Sequence, residues 1–359
     1  MKRTYLALLF LVVVGFFLRM WDVGKDLMHV DEKWTIDLVQ HSWSYVVQYT
    51  LTQDCNPPLF YLVDKLSIAV WGPTLFGIRF PSLIFGTLLI IATFYLGKEI
   101  KNETLGVLAA SVVTFLGSMW YYSQFARAYM LVALLMTLTL VFYTRIIRKE
   151  WDCQYSSLGF ILGALACVYT HLYALIPITL MLVYLLYLYR TRFLIRAGII
   201  VALLFPLVGL GISIINGRTG SVQDAQNWIG NTIPQLLQLM PLEYFGYLCV
   251  GVFTLIAYAV FTQCKKNSAV PMIAGIWLVT YIIQLAVSQI TPVFVRYSLL
   301  LVPSLCVVAM YPLAEHMESD ALAAQKWFAL AVFYAVFMGV IAYQYMDPNF
   351  FLPKGNIPI

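Results

Sequence analysis

Long apolar runs alternate along this chain with short polar breaks. A helix needs roughly 20 mainly apolar residues to cross the hydrocarbon core of a bilayer. Runs that reach or approach this length lie at about 4–21, 79–97, 105–122, 127–146, 157–173, 173–189, 197–215, 241–262, 269–289, 297–313 and 327–345. The pattern predicts an all-α polytopic membrane protein with about eleven transmembrane helices. The first run follows Lys2 and Arg3; its length and the lack of a small-residue cleavage site after it predict a retained span. One further run, PPLFYLVDKLSIAVWG at 57–72, is short, opens on two prolines and holds Asp64 and Lys65 in its middle.

The basic residues decide how that run is read. Cytoplasmic loops are enriched in Lys and Arg. If 57–72 does not span, Lys98, Lys101, Arg145, Arg148, Lys149, Arg190, Arg192, Arg196, Lys265, Lys266 and Lys326 all fall on the side of the N-terminus. If it spans, they fall on the other side. The run is therefore expected to be an amphipathic helix on the outer surface. The whole of 1–345 then forms one transmembrane domain, with a long first outer loop at 22–78 and a second at 216–240. A short outer tail follows at 346–359, with no soluble C-terminal domain expected. EKWTIDLVQHSWSYVVQYTL at 32–51 places Trp34, Leu38, Ser42 or Tyr45, and Tyr49 at helical spacing. The first outer loop thus predicts two membrane-surface helices.

Composition agrees with this layout. The chain is 62% hydrophobic and 11% charged, against about 25% charged in soluble domains. The net charge of +5 sits in clusters between apolar runs, as topology signals do, and does not point to nucleic acid. The six cysteines make no disulfide framework; most fall in apolar runs or beside basic clusters.

The candidate chemistry gathers on the expected outer face. Asp31 and Glu32 are adjacent, so on a helix they point about 100° apart and cannot aim at one atom. They suit a division of labour, one as a base and the other as a cap or substrate contact; an ordinary helix start with Asp31 as cap is the plainer alternative. Arg79, Arg127 and Arg296 each enter the membrane at the same expected surface. Each could simply snorkel to the interface. Together they suit a phosphate carried on a lipid, and a carboxylate above them suits a general base. Tyr129, Tyr297 and the turn residue His171 lie beside these arginines in sequence or expected depth. No Gly-rich phosphate loop and no Cys/His metal cluster is present. Few polar groups fall at mid-membrane depth, which argues against an ion-coupled transporter.

In order and spacing, VDEKW, CNPPLFYL, RFPS, SQFARAYML and VRYSLLLVPS resemble motifs of the C-type membrane glycosyltransferases. The likeness is closest to the protein O-mannosyltransferase and lipid A aminoarabinose transferase family. Asn56 stands where the family's Pro-Pro motif has a histidine. The resemblance implies a GT-C-type fold and an inverting transfer from a polyprenyl-phosphate sugar to a hydroxyl acceptor on the outer face. It implies Asp31 as general base, Glu32 as a positioning group, and Arg296 and Arg79, then Arg127, as stabilisers of the leaving phosphate. His171, Asn56, Tyr129 and Tyr297 are implied as substrate contacts. A divalent metal is known in some relatives, but too few ligands are seen here to assign one. The acceptor could be a glycan, lipid or protein, with a partner protein as one source of acceptor recognition. The competing expectation is a non-enzymatic transporter or flippase of lipid-linked glycans.

Overall fold

The computed structural model describes residues 2–25, 28–54, 56–148, 154–189, 198, 200–201, 203–204, 249–264, 269–287, 295–319 and 322–346. Among them there are helices and no strands. The helices are α1 (Lys2–Met20), α2 (Val30–Val39), α3 (Trp43–Thr52), α4 (Leu59–Trp71), α5 (Leu75–Ile100), α6 (Glu103–Phe115), α7 (Gly117–Ser123), α8 (Tyr129–Arg148) and α9 (Gln154–Thr170). They continue as α10 (Leu175–Tyr189), α11 (Cys249–Gln263), α12 (Ala269–Val287), α13 (Val302–Glu318) and α14 (Ala323–Met346). Two 3₁₀ segments, Leu172–Ala174 and Val295–Leu301, precede α10 and α13.

Six segments of the described residues are long and apolar enough to cross a membrane, and the bent pair α6 and α7, kinked by 61°, makes a seventh if counted as one span. Apolar helices of this length place the chain in a membrane. The expected count of about eleven is thus met only in part. The apolar stretches 155–170, 250–263 and 323–339 are shorter, and the expected span 197–215 and the second outer loop at 216–240 lie almost entirely outside the described residues.

The first loop differs from expectation in one respect. The stretch expected as one helix over 32–51 is two helices, α2 and α3, broken at residues 40–42. The break has a local and a distant cause. Ser42 caps α3 by accepting the backbone N–H of Tyr45 at 3.3 Å. The end of α2 is closed by Lys65 of α4, whose ammonium donates to the carbonyl of Val39 at 2.9 Å and also to that of His41. Carbonyls that would carry the helix onward are thereby taken up by a side chain. At 13 residues, α4 rises only about 20 Å. It is too short to span, and it packs against α2, α3 and α5.

The core forms where α5, α6, α8, α9 and α13 meet. α5 and α6 approach closely at Gly97, where a Cβ would lie 2.7 Å from the Cα of Gly106. The kink between α6 and α7 is stapled by Arg19, whose side chain is fully buried. Its Nη2 donates to the carbonyl of Val113 at 3.0 Å, its Nη1 to those of Gly15 (3.0 Å) and Thr114 (3.3 Å), and its Nε to Ser123 Oγ at 3.1 Å. A helix that stops inside an apolar bundle leaves its last carbonyls without partners. The Arg19 guanidinium supplies donors to two of them. α5 and α8 begin at the end of the bundle that carries α2, and α6 begins at the other end. That other end holds the ion pairs Lys98–Glu103, Lys101–Glu318 and Arg145–Glu99. Lys98, Lys101, Arg145 and Arg148, all expected on one side of the membrane, share that end of the bundle.

Candidate active site

The site begins with the start of α2. His29 caps this helix, its Nδ1 accepting the N–H of Asp31 at 3.1 Å. Glu32 completes a capping box by accepting the N–H of His29 at 3.0 Å. The cap is thus His29, not Asp31. Burial pushes the His29 imidazole below its usual range, opposed by Asp31, which suits a ring nitrogen that accepts a hydrogen bond. Its ring also meets Phe125 edge-on at 5.2 Å.

From this start the two carboxylates diverge as helix geometry demands. Glu32 turns into the protein and is fully buried. Its oxygens accept from Arg79 Nε (2.8 Å) and Nη2 (2.7 Å), and from the backbone N–H of Ala126 (2.9 Å). Arg79 Nη1 donates to the Val23 carbonyl at 3.0 Å. A bidentate pair with additional backbone donors is the arrangement that makes a buried ion pair tolerable. One turn further on, Thr35 Oγ1 donates to the carbonyls of Asp31 and Ala126. Glu32 and Thr35 together seat α2 on the 124–128 connection.

Asp31 turns the other way, toward Arg296. Its Oδ2 accepts from Arg296 Nη2 at 3.1 Å. This pair is partly open, with side-chain exposures of 26% for Asp31 and 18% for Arg296, against 0% and 4% for Glu32 and Arg79. The Arg296 guanidinium lies 5.7 Å from the ring centre of Tyr129. Tyr129 is 6.1 Å from the His171 ring, and His171 is 4.9 Å from Tyr297. Five of the sequence candidates, Asp31, Arg296, Tyr129, His171 and Tyr297, therefore form one contiguous wall. His171 is buried at the turn before α10, and its Nδ1 accepts the N–H of Tyr173 at 3.2 Å. Burial, with Arg127 and Arg296 nearby, lowers its pKa to about 3. The ring is neutral near pH 7 and carries its proton on Nε2.

The other candidates sit apart from that pair. Arg127 Nη1 donates to Tyr61 Oη at 3.2 Å and reaches Thr35 Oγ1 at 3.5 Å. Asn56 is buried ahead of α4, where its N–H donates to Asp54 Oδ1 at 3.2 Å; it is not among the groups that Asp31 contacts. Glu32 thus pairs with Arg79, Asp31 with Arg296 and Arg127 with Tyr61, a sorting that adjacency in sequence does not reveal. The sequence reading also passed over His29, Thr35, Tyr61 and Arg19. Among the described residues no three His, Cys, Asp or Glu side chains form a group able to hold a metal.

Asp64 is a further ionisable group of this layer. It is fully buried on α4, and neither carboxylate oxygen has a hydrogen-bond partner among the described residues. Burial pushes its pKa well above the carboxylate range, offset in part by Arg127. A carboxyl raised in this way favours the folded state most at low pH, and that contribution is lost as pH rises through the folded pKa. Asp64→Asn removes the charge that must form. Its melting temperature in detergent, relative to the parent protein, is expected to shift upward between pH 5 and pH 9. An equal difference at both pH values would show that Asp64 is not a buried acid of this kind.

ArnT from Cupriavidus metallidurans bound to undecaprenyl phosphate superposes with a TM-score of 0.66 at 15% identity, over 93% of this chain and 63% of that one. The Archaeoglobus fulgidus oligosaccharyltransferase AglB, in complex with an inhibitory peptide and a dolichol-phosphate, gives 0.64 at 12% identity, over 98% and 56%. The same oligosaccharyltransferase in complex with Zn and sulfate gives 0.62 at 13%, over 92% and 51%. The chain thus spans between about half and two thirds of the length of these structures. No family model and no curated protein matches the sequence. ArnT, an aminoarabinose transferase, and AglB are both glycosyltransferases of the GT-C fold, and that is the fold this chain adopts.

Proposed function

We propose that this protein transfers a sugar from a polyprenyl phosphate to a hydroxyl acceptor, with the chemistry at the Asp31–Arg296 pair. One observation carries the reading. A carboxylate and a guanidinium 265 residues apart meet at 3.1 Å in a partly open position, beside a wall of tyrosines and a neutral histidine. The Glu32–Arg79 pair is closed to solvent, whereas the Asp31–Arg296 pair is partly open. ArnT binds undecaprenyl phosphate and AglB binds dolichol-phosphate on the same fold, which supports a lipid phosphate as the carrier.

In this reading Arg296 binds the phosphate of the incoming donor and, in doing so, releases Asp31. Asp31 then takes the proton of the acceptor hydroxyl as its oxygen attacks the anomeric carbon. The bond from that carbon to the phosphate oxygen breaks, its electron pair leaves with the phosphate, and the anomeric centre inverts. Arg296, and Arg127 behind it, stabilise the charge gathering on the phosphate. Glu32 and Arg79 act as positioning groups that hold α2 against 124–128. His171, through Nε2–H, and Tyr129, Tyr297 and Asn56 are assigned to substrate contacts. By the distribution of basic residues the site faces the outer side, where an activated sugar must arrive on a lipid.

Arg296→Ala tests the assignment. It removes charge-assisted hydrogen bonds worth about 1.5–3 kcal/mol, so affinity for undecaprenyl phosphate in nanodiscs is expected to fall at least tenfold. Sugar transfer from undecaprenyl-phosphate donors should fall with it. Unchanged affinity and unchanged transfer would remove Arg296 from the phosphate site.

A further inference from the structure

At the end of the bundle away from the Asp31–Arg296 pair, a cavity of about 440 Å³ lies between α8, α10 and α12. Leu180, Ile276 and Val279 give it apolar walls. Tyr143, Tyr184 and Cys264 are its hydrogen-bonding side chains, and among the described residues no charged one lines it. Its depth follows from α8. Tyr129, which lies against Arg296, opens that helix, and Tyr143 is about 21 Å further along it. The hydrocarbon core of a bilayer is about 30 Å thick, so the cavity falls in the leaflet opposite the proposed site. It is open to its surroundings. Val279 is 40% exposed, its neighbours Leu278 and Ile282 are exposed too, and so are Val183 and Tyr187 on either side of Tyr184. Apolar side chains exposed on a spanning helix face lipid.

Two residues say what fills the cavity. Tyr143 is fully buried, and its Oη has no hydrogen-bond partner among the described residues. Neighbouring hydroxyls behave otherwise. Tyr189 Oη donates to the Ile146 carbonyl at 2.9 Å, and Thr137 and Thr139 each donate to the carbonyl four residues earlier. A buried phenol without an acceptor is costly in a membrane bundle. The second residue is Gly275. It lines the cavity, and a Cβ there would meet nothing within 4 Å beyond its own turn of helix. Gly275 is therefore unlike Gly97, where a neighbouring backbone takes the space.

We propose that this cavity holds one acyl chain of a bilayer glycerolipid, whose ester carbonyl accepts the O–H of Tyr143. The apolar walls suit methylene groups. The uncharged lining disfavours a charged headgroup, which would be desolvated there without a partner. The ester supplies the acceptor that the phenol lacks. The depth agrees, because Arg145 and Arg148 end α8 just beyond Tyr143, which puts the phenol near the boundary between chains and headgroups where tyrosines gather. The chain of a polyprenyl phosphate is pure hydrocarbon with no atom to accept from Tyr143, and the proposed function places its phosphate at the other end of the bundle.

The test is native mass spectrometry of the delipidated protein in detergent, titrated with dioleoylphosphatidylglycerol. The diether lipid of the same headgroup and chain length, which lacks the ester carbonyls, is the comparison. The parent protein is expected to take up one ester lipid ahead of all others, and to bind the diether lipid about two- to tenfold more weakly, the effect of one net hydrogen bond. Tyr143→Phe removes the donor and keeps the ring, so it should bind the two lipids equally. Gly275→Leu puts a side chain into the cavity and should lose the tightly bound lipid of either kind. Both variants should keep the parental affinity for undecaprenyl phosphate, which shows that they are folded. Equal affinity of the parent protein for ester and diether lipid would overturn the proposal, and this comparison needs no variant. A tightly bound lipid retained by Gly275→Leu would also overturn it. So would displacement of the lipid by undecaprenyl phosphate in the parent protein, which would give the cavity to the prenyl chain instead.

Discussion

Asp31→Asn is expected to lower sugar transfer from polyprenyl-phosphate donors by about 10²- to 10⁴-fold, the usual contribution of a general base. The side chain keeps its shape but can no longer accept the hydroxyl proton. Folding should be little affected. The Asp31 carboxylate meets Arg296 in a partly open position, and the cap of α2 is made by His29 and Glu32. Lipid-phosphate affinity should be kept or even rise, because Arg296 loses a competing carboxylate. The assay is single-turnover transfer in nanodiscs, with undecaprenyl phosphate binding measured on the same samples. Transfer within a few-fold of the parent protein would remove Asp31 as the base.

Arg79→Leu is expected to act through stability instead. It leaves Glu32 as a fully buried carboxylate without its cation. Breaking a buried pair by deleting one partner costs about 3–5 kcal/mol. The Val23 carbonyl also loses its donor from Arg79. The loss reaches the site indirectly, because Glu32 holds both the start of α2 and the N–H of Ala126. A lower melting temperature in detergent and reduced transfer should therefore appear together. Arg79→Lys, which keeps a charge but not the fork, should fall between Leu and the parent protein. A variant with parental stability that had lost only lipid-phosphate affinity would instead place Arg79 at the phosphate.

Legibility in the sequence varied with the range of the physics involved. The apolar spans were visible because the bilayer imposes a length and a composition on any helix that crosses it. The two directions of Asp31 and Glu32 were visible because adjacent residues on a helix must diverge. The capping box was missed because its usual signature begins with Ser or Thr, and here His29 fills that place. The break between α2 and α3 was missed because half of its cause is Lys65, which lies 26 residues from Val39. The role of Arg19 could not be read from its own neighbourhood, since its acceptors at Val113 and Thr114 are 94 and 95 residues away.

Taken alone, the amino-acid sequence determined that this chain lives in a bilayer, that its first loop is rich in carboxylates, and that three arginines enter the bundle near that loop. These are consequences of local composition and periodicity. Only the tertiary structure decided which arginine belongs to which carboxylate. Glu32 and Arg79 became a closed, buried anchor, while Asp31 and Arg296 became the open pair. The same chemistry is sealed inside the fold in one place and, in the proposed function, meets a substrate in the other. The difference is burial, and burial depends on how distant helices pack.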